Sequence, residues 1–162
     1  MLIGVFGDTH NNLPSIERIV EIFERRRVDR VVHTGDITQP KVLDALSALT
    51  MPLHCVYGNN DQGERPGLER SARRHGIQLV DGPLEVTWAR QPILIAHDPL
   101  DLEPLLAPHH VLGLHGHTHL YRHEEINGTL VFCPGECAGM LQGQNRVGLV
   151  DLIDLHCEIE YF

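Results

Sequence analysis

The sequence predicts an α/β fold in which two β-sheets pack face to face and helices cover the outside. Its first half alternates apolar runs with amphipathic segments, in the order strand–helix–strand–helix–strand that produces right-handed crossovers and a mostly parallel sheet. Its second half is rich in strands and hairpins. The 162 residues suffice for one sizeable core and contain no repeat or linker, so we expect a single domain over residues 1–162.

The first half supplies the strand–helix alternation. The apolar, β-branched run LIGVFGD predicts a buried strand. NNLPSIERIVEIFERRR predicts an amphipathic helix, since Asn11 or Asn12 can cap it, Pro14 lies in the first turn and apolar residues recur up to Phe23. DRVVHTGD and MPLHCVYGNND predict two further buried strands, with a helix over PKVLDALSAL between them. A short helix is expected over Pro66–His75.

The second half supplies hairpins. LEVTWARQPILIAHD predicts two strands around a tight turn near Arg90 and Gln91, and HHVLGLHG predicts another buried strand. LYRHEEING and TLVFCPG predict a hairpin that turns at Asn127-Gly128, because this pair adopts the left-handed conformations that two-residue hairpin loops require. RVGLVDLID and HCEIEYF predict a last hairpin.

The composition excludes several classes of partner. The formal net charge is -9 and the chain has twelve histidines. A chain this acidic gains no long-range attraction to a nucleic-acid duplex or an anionic membrane, so a bound phosphate would need local groups or cations. The N terminus lacks signal-peptide features, no apolar run could span a membrane, and the four cysteines form no C-x-x-C pair. We expect a cytoplasmic protein with reduced, mostly structural cysteines.

Each predicted buried strand ends in side chains that can bind a metal ion. The strand ends read GDTH, TGD, GNND, AHD and GHTH, in that order. Because such ends meet at one edge of a parallel sheet, the side chains would converge. Turn chemistry explains any one motif equally well, but five in succession predict a metal site. The residues concerned are Asp8, His10, Asp36, Asn59, Asn60, Asp61, His97, Asp98, His117 and His119.

The residue types indicate two metal ions. Two divalent cations about 3.5–4 Å apart need a short shared ligand, and a carboxylate can bridge them. Asp36 is the candidate bridge, as the lone acid on its strand end. His117 and His119 lie two residues apart and could each face a different metal. Mixed oxygen and nitrogen ligands favour Mn²⁺, our first expectation, or Fe²⁺, Zn²⁺ or Ni²⁺ over Ca²⁺, with Mg²⁺ a further alternative.

The five motifs, over about Ile3–Gly135, resemble the calcineurin-like metallophosphoesterases, and the short length is similar to their small bacterial and archaeal phosphodiesterases. The resemblance implies a four-layer α/β/β/α sandwich. It also implies that a water or hydroxide between two metals attacks phosphorus in line with the leaving group. The implied substrate is a small phosphoester, a diester rather than a monoester, and homo-oligomers are an open expectation.

The resemblance also implies a role for each matching residue. It implies a first metal held by Asp8, His10 and His119, a second held by Asn59, His97 and His117, and a bridge formed by Asp36. From this assignment, we expect Asp36, Asn59, Asn60 and His97 to act directly in catalysis.

The chain departs from the family pattern at two places. Many relatives carry a histidine after the G-N pair as a general acid, or a cysteine, whereas this chain has Asn60. Small relatives often read N-P-G-S after the last core strand, whereas CPGE places Cys133 and Glu136 there. An extra carboxylate near the pocket would repel a dianionic monoester more than a monoanionic diester.

Several further residues are candidates for supporting positions. His115 is expected to be packed or to support a ligand, His123 to line the pocket or its rim, and His33 to support a ligand. Asp61 and Asp98 follow ligands and could orient imidazoles as hydrogen-bond acceptors.

The motifs leave two alternative functions from other classes. The first is a non-catalytic metal-binding scaffold of the same fold, as in the related subunit of the retromer coat. All seven expected ligand positions are filled here, which disfavours that interpretation. The second is the metallo-β-lactamase fold, whose H-x-H-x-D-H signature fails because Leu120 follows His119.

Overall fold

Two mixed β-sheets lie face to face in the computed structural model, which describes every residue from Met1 to Phe162. The strands are β1 (Leu2–Phe6), β2 (Arg30–His33), β3 (Leu53–Val56), β4 (Gln78–Val80), β5 (Leu84–Trp88), β6 (Gln91–Ile95), β7 (Leu112–Leu114), β8 (Arg122–Ile126), β9 (Thr129–Cys133), β10 (Arg146–Asp151) and β11 (His156–Tyr161). The first sheet has the order β11-β10-β1-β2-β3-β4 and the second the order β5-β6-β7-β9-β8.

Helices cover the outer face of each sheet. The helices are α1 (Leu13–Arg26), α2 (Pro40–Leu46), α3 (Arg65–His75) and α4 (Pro99–Leu102), with 3-10 segments at Asn59–Glu64 and Glu103–Leu105. The first three pack on the first sheet, where Phe6, Phe23 and Leu43 belong to one buried cluster. The fourth covers the second sheet through Leu102, which packs with Leu94.

Alternation along the strands separates the layers. Val5 faces the second sheet with Ile95, whereas the next residue, Phe6, faces the helices. Val31 and Val32 divide in the same way, because successive side chains of a strand point to opposite faces. The order helix, sheet, sheet, helix confirms the α/β/β/α sandwich.

The pairing directions bring several strand ends to one edge. Strands β1 to β4 are mutually parallel, and β10 and β11 extend the sheet as an antiparallel hairpin. In the second sheet, β6, β7 and β9 run parallel. The carboxyl ends of β1, β2, β3, β6 and β7 therefore carry the polar motifs to neighbouring positions.

The structure differs from the sequence prediction where elements are short. The prediction missed β4, a three-residue edge strand, and α4, whose first turn is capped by the Asp98 side chain accepting from Leu100 N at 2.8 Å. Helix α2 stops at Leu46, before the predicted end. The β5–β6 turn lies at Ala89 and Arg90, both with left-handed φ, one residue before the predicted turn.

Two smaller predictions have an outcome in the structure. No helix combines the length and the apolar character needed to cross a membrane. All four cysteines are free, and three of them are buried.

Candidate metal centre

The loops after the strands hold five of the predicted ligands in a left-handed backbone conformation. The φ values are 50° for Asp8, 41° for His10, 59° for Asp36, 67° for His117 and 60° for His119. For residues other than glycine, adopting this conformation costs about 1–2 kcal/mol per residue. Such strain persists only where the surrounding structure holds the backbone in place. Residues strained in this way are concentrated at functional sites.

Glycines allow these loops to approach one another closely. A Cβ on Gly35 would lie 2.6 Å from His97 Nδ1, and a Cβ on Gly116 would lie 2.7 Å from Asp8 Oδ2. Neither separation is compatible with a side chain. The glycines that precede the ligands therefore create room for the ligands of a neighbouring loop.

One group of predicted ligands comprises Asp8, His10 and His119, whose donor atoms lie within 4.8 Å of one another. His119 Nε2 is 3.7 Å from Asp8 Oδ1, and the rings of His10 and His119 are 5.3 Å apart between centroids. Asp8 is fully buried, and both its oxygens accept from the His117 backbone amide at 3.1 Å. We call these three residues the first ligand group.

The second ligand group comprises Asn59, His97 and His117. Asn59 Oδ1 lies 2.9 Å from His97 Nε2 and 3.0 Å from His117 Nδ1, and the two ring nitrogens are 3.2 Å apart. The other nitrogen of His97, Nδ1, donates to the carbonyl of Thr34 at 2.9 Å. Because the ring proton is used there, His97 Nε2 presents a lone pair to the group.

Asp36 lies between the two groups. Its Oδ2 is 3.3 Å from His10 Nε2, and its Oδ1 is 3.5 Å from His97 Nε2. Each carboxylate oxygen thus faces a different ligand group. The side chain is almost fully buried, and this is the arrangement that a bridging carboxylate requires.

The residues fit divalent cations. His10 Nε2 is buried without a hydrogen-bond partner, and the His97 lone pair faces an amide oxygen. Burial, and after it the neighbouring Asp36 carboxylate, raises the pKa of Asp8 to about 8. No lysine or arginine hydrogen bonds to Asp8 or Asp36. Facing lone pairs and buried carboxylates are unfavourable together unless cations lie between them.

Asn60 supports Asp36. Its backbone amide donates to Asp36 Oδ1 at 3.0 Å, and its side-chain amide donates to Asp36 Oδ2 at 2.7 Å. These two bonds fix the plane of the carboxylate. The exposed Asn60 therefore holds the candidate bridge, an interaction that the sequence alone did not predict.

Glu136 is a buried partner of His119. The sequence identifies this residue only as a departure from the family motif, without indicating its contact. Its Oε2 lies 3.2 Å from His119 Nδ1, and its Oε1 accepts from Leu141 N at 2.6 Å. Glu136 is fully buried, so its carboxylate acts through His119 rather than from an open pocket wall. Cys133 is also buried, which raises the pKa of its thiol to about 12 and keeps it protonated.

Of the two carboxylates expected to orient imidazoles, Asp98 lies near one and Asp61 does not. Asp61 contacts no imidazole; it is fully buried and accepts from the backbone amides of Gly58 and Thr38 at 2.7 and 2.6 Å. It therefore ties the loop after β3 to the loop after β2. Asp98 does approach an imidazole, with Oδ2 3.6 Å from His117 Nε2.

Of the remaining candidate histidines, His33 supports the loops that carry the ligands. His33 Nδ1 accepts from Gly35 N at 3.1 Å, so its Nε2 carries the proton toward Thr9 Oγ1, also at 3.1 Å. Burial lowers the pKa of His33 to about 3, and the ring is neutral. His33 therefore connects the loops after β1 and β2.

His115 and His123 lie outside the ligand groups. His115 is fully buried, and its Nδ1 lies 2.9 Å from the Gly116 carbonyl. His123 is exposed on β8, where its ring packs against Phe132, and it makes no hydrogen bond to a predicted ligand. The structure does not bring His123 into the site, because β8 is the far edge strand of the second sheet.

A third cluster, formed by Glu85, His109 and His110, resembles a metal site only by proximity. His110 Nδ1 accepts from Ala107 N at 2.9 Å, so the neutral ring carries its proton on Nε2. That atom is 3.5 Å from Glu85 Oε1. Because this nitrogen carries the ring proton, it offers no lone pair to a metal.

The comparison with known families agrees with this geometry. A profile of the calcineurin-like phosphoesterase superfamily domain matches residues 1–154. The chain belongs to this superfamily. Phosphodiesterase MJ0936 of Methanocaldococcus jannaschii is 33% identical over 156 residues, covering 93% of each chain. A probable metallophosphoesterase of Methanothermobacter thermautotrophicus is 41% identical over 142 residues, covering 83% of this chain and 76% of that one.

Solved structures show the same fold. An archaeal phosphodiesterase superposes with a TM-score of 0.89 at 29% identity, with 100% of both chains covered. Vps29 of Entamoeba histolytica, solved in complex with Zn²⁺, superposes with a TM-score of 0.67 at 18% identity and covers 100% of this chain and 98% of its own. At that identity, the similarity to Vps29 establishes the fold alone.

The contact between Glu136 and His119 predicts a role in metal affinity for this member of the superfamily. Glu136→Gln keeps the shape and an acceptor for Leu141 N but removes the charge that raises the basicity of His119. We expect Mn²⁺ affinity to fall by about 10–100-fold, the usual effect of losing such a partner. Calorimetric titration of chelator-treated protein measures this, with Glu125→Gln on the exposed face of β8 as the control. An unchanged affinity in Glu136→Gln would contradict the assignment.

The raised pKa of Asp8 predicts how stability depends on pH in chelator-treated protein. The folded state holds a proton on Asp8 up to about pH 8, whereas the unfolded chain releases it near pH 4. Stability should therefore fall as pH rises, by at most about 1.4 kcal/mol per pH unit. Below about pH 6.5, His33 opposes this trend, because its pKa is lowered to about 3. The informative window is thus about pH 6.5 to 8.

Thermal melts across this window measure the effect. Wild type in chelator should lose melting temperature with rising pH, and Asp8→Asn should show a flatter profile. Excess Mn²⁺ should raise the melting temperature of wild type by mass action and remove the decline. A melting temperature that is the same with chelator and with Mn²⁺ would count against a preformed site.

Proposed function

We propose that this protein is a metal-dependent phosphodiesterase that hydrolyses small phosphodiesters with two divalent cations. The observation that carries the proposal is the position of Asp36, whose two oxygens face two separate groups of nitrogen and oxygen donors. A mononuclear site needs no such carboxylate. Two cations sharing one ligand are the common arrangement for in-line displacement at phosphorus.

The relatives support hydrolysis of diesters in particular. Phosphodiesterase MJ0936 carries that activity in its name and is 33% identical over nearly the whole length of both chains. The charge of the whole chain favours the same class of substrate. Its formal net charge is -9, and a monoanionic diester meets less long-range repulsion from it than a dianionic monoester does.

We assign the cations to the two ligand groups. Asp8, His10 and His119 would hold the first, Asn59, His97 and His117 would hold the second, and Asp36 would bridge them. Bound divalent cations supply Lewis acidity, which lowers the pKa of water and offsets negative charge on the phosphoryl oxygens. Mn²⁺ is our first choice for this mixed donor set, and Fe²⁺, Zn²⁺, Ni²⁺ and Mg²⁺ remain alternatives.

The residues around the ligands position them for this role. The Thr34 carbonyl holds His97 in the tautomer that exposes Nε2, Asn60 fixes the plane of Asp36, and Glu136 orients His119. None of these positions offers an obvious proton donor. The Asn60 amide already donates to Asp36 and cannot act as an acid. A departing alkoxide must therefore leave as an anion or take its proton from solvent.

An activity screen tests the proposed function. Purified protein with each candidate metal is assayed on a phosphodiester such as bis(p-nitrophenyl) phosphate, on p-nitrophenyl phosphate and on cyclic nucleotides. We expect turnover of the diester to exceed that of the monoester and to disappear with chelator. Asp36→Asn should reduce turnover of the diester by more than about 100-fold. Loss of a residue that only supports a ligand costs up to about 100-fold, and Asp36 is itself a proposed ligand. Glu125→Gln should retain that turnover. Metal binding without turnover of any substrate would favour the non-catalytic scaffold instead.

The missing proton donor predicts a strong dependence on the leaving group. Diesters with nitrophenolate leaving groups should be hydrolysed faster than diesters with alkyl alcohol leaving groups. The ratio of the two rates should exceed that of an enzyme with a general acid by about 10²–10⁴-fold, which is the usual contribution of such an acid. Asn60→His should narrow this gap by helping poor leaving groups most. A series of diesters with graded leaving-group pKa, measured under kcat/KM conditions, gives the slope.

Two observations would contradict the missing-acid account. The first is a flat dependence on leaving-group pKa with chemistry shown to be rate-limiting. The second is a flat dependence that becomes steep in His115→Ala or His123→Ala, which would identify that histidine as the acid. The burial of His115 and the exposed position of His123 on β8 both argue against this second outcome.

A further inference from the structure

One peptide group, between Gly116 and His117, contacts both ligand groups. Its N–H, on His117, donates to both oxygens of Asp8 at 3.1 Å, and His117 itself belongs to the second group. Its carbonyl, on Gly116, accepts from Thr118 N at 2.7 Å. A bond across three residues defines a γ-turn, and the φ of 67° at its centre, His117, matches the rare and strained form of that turn. The orientation of this peptide therefore sets the position of one ligand in each group.

A strained turn needs contacts that hold it, and His115 supplies one from inside the fold. The ring is fully buried, and its Nδ1 lies 2.9 Å from the Gly116 carbonyl oxygen. A carbonyl oxygen can only accept, so Nδ1 carries the ring proton and donates it. The Gly116 carbonyl thus has two donors, one from the turn itself and one from His115.

Arg122 fixes which nitrogen of His115 carries the proton. Its Nη1 lies 3.4 Å from His115 Nε2 and donates to Glu103 Oε1 at 2.7 Å. A guanidinium is always charged and only donates, so it faces the lone pair of Nε2. The carbonyl on one side and the guanidinium on the other confine the ring to the tautomer with the proton on Nδ1. Packing alone would require neither contact, because an apolar side chain would fill this buried position equally well.

We propose that His115 is a positioning residue for the metal centre. Its Nδ1 proton holds the peptide between Gly116 and His117, and through that peptide it places Asp8 for the first cation and His117 for the second. The proposal rests on the two-cation site of the proposed function. Donation to the carbonyl also strengthens the N–H of the same peptide as a donor to Asp8, because hydrogen bonds in a chain polarise one another. One buried ring therefore acts on both ligand groups.

Two variants separate positioning from packing. In His115→Asn, the side-chain amide nitrogen takes the place of the ring Nδ1, so the donor to Gly116 is kept and the outer half of the ring is lost. His115→Leu keeps about the volume of the ring and removes the donor. We expect Mn²⁺ affinity to fall by about 10–100-fold for both cations in His115→Leu, the usual effect of losing a supporting partner, and by less than about threefold in His115→Asn.

Calorimetric titration of chelator-treated protein measures these affinities, and thermal melts in chelator measure the stability of each variant without metal. If the ring only packs, His115→Asn, which leaves a cavity, should be the weaker binder of the two. Equal losses in both variants, or wild-type affinity in His115→Leu, would overturn the proposal and leave the proposed function standing. A wild type that binds no pair of Mn²⁺ ions would overturn the proposed function, and the role of His115 with it.

The tautomer of His115 provides a test on the unaltered chain, independent of how any variant folds. Nitrogen NMR of the wild-type protein in chelator should show a proton on Nδ1 of His115 and a lone pair on Nε2. A ring with its proton on Nε2 would overturn the proposal, because no donor would then face the Gly116 carbonyl.

Discussion

The buried Asp36 carboxylate, facing a group of donors on each side, is the interaction on which the rest of this structure depends. Its two oxygens lie 3.3 and 3.5 Å from nitrogens of different ligand groups. The surrounding loops adopt left-handed backbone conformations at five ligand positions. Strain and desolvation on this scale are unfavourable in isolation. Divalent cations would offset the desolvation, because they neutralise the carboxylates and occupy the space between facing lone pairs, and the surrounding contacts hold the strained loops in place.

The fold explains why these residues meet. Strands β1, β2 and β3 are parallel in one sheet and β6 and β7 are parallel in the other, so the polar motifs at their carboxyl ends share one edge of the sandwich. Buried partners then fix the loops. Asp61 joins the loops after β2 and β3, and His33 joins those after β1 and β2. The site therefore rests on tertiary contacts that come from the sheets.

The sequence was most informative about regular patterns and least informative about single contacts. Apolar runs that end in polar motifs predicted the principal strands and the ligand candidates, because strand period and strand ends are local properties. The three-residue β4 was missed, since an edge strand that short has no measurable period. The bond from His97 to the Thr34 carbonyl left no signal, because any residue could supply that carbonyl. Glu136 showed only as a departure from a motif, and its contact with His119 depends on how the chain after β9 returns to the site.

Anomalous diffraction from crystals of the Mn²⁺-loaded protein tests the central claim most directly. The account predicts two peaks per chain, about 3.5–4 Å apart, with an Asp36 oxygen approaching each of them. Asp8, His10 and His119 should surround one peak, and Asn59, His97 and His117 the other. A single peak in this region, or two peaks without Asp36 between them, would contradict the account.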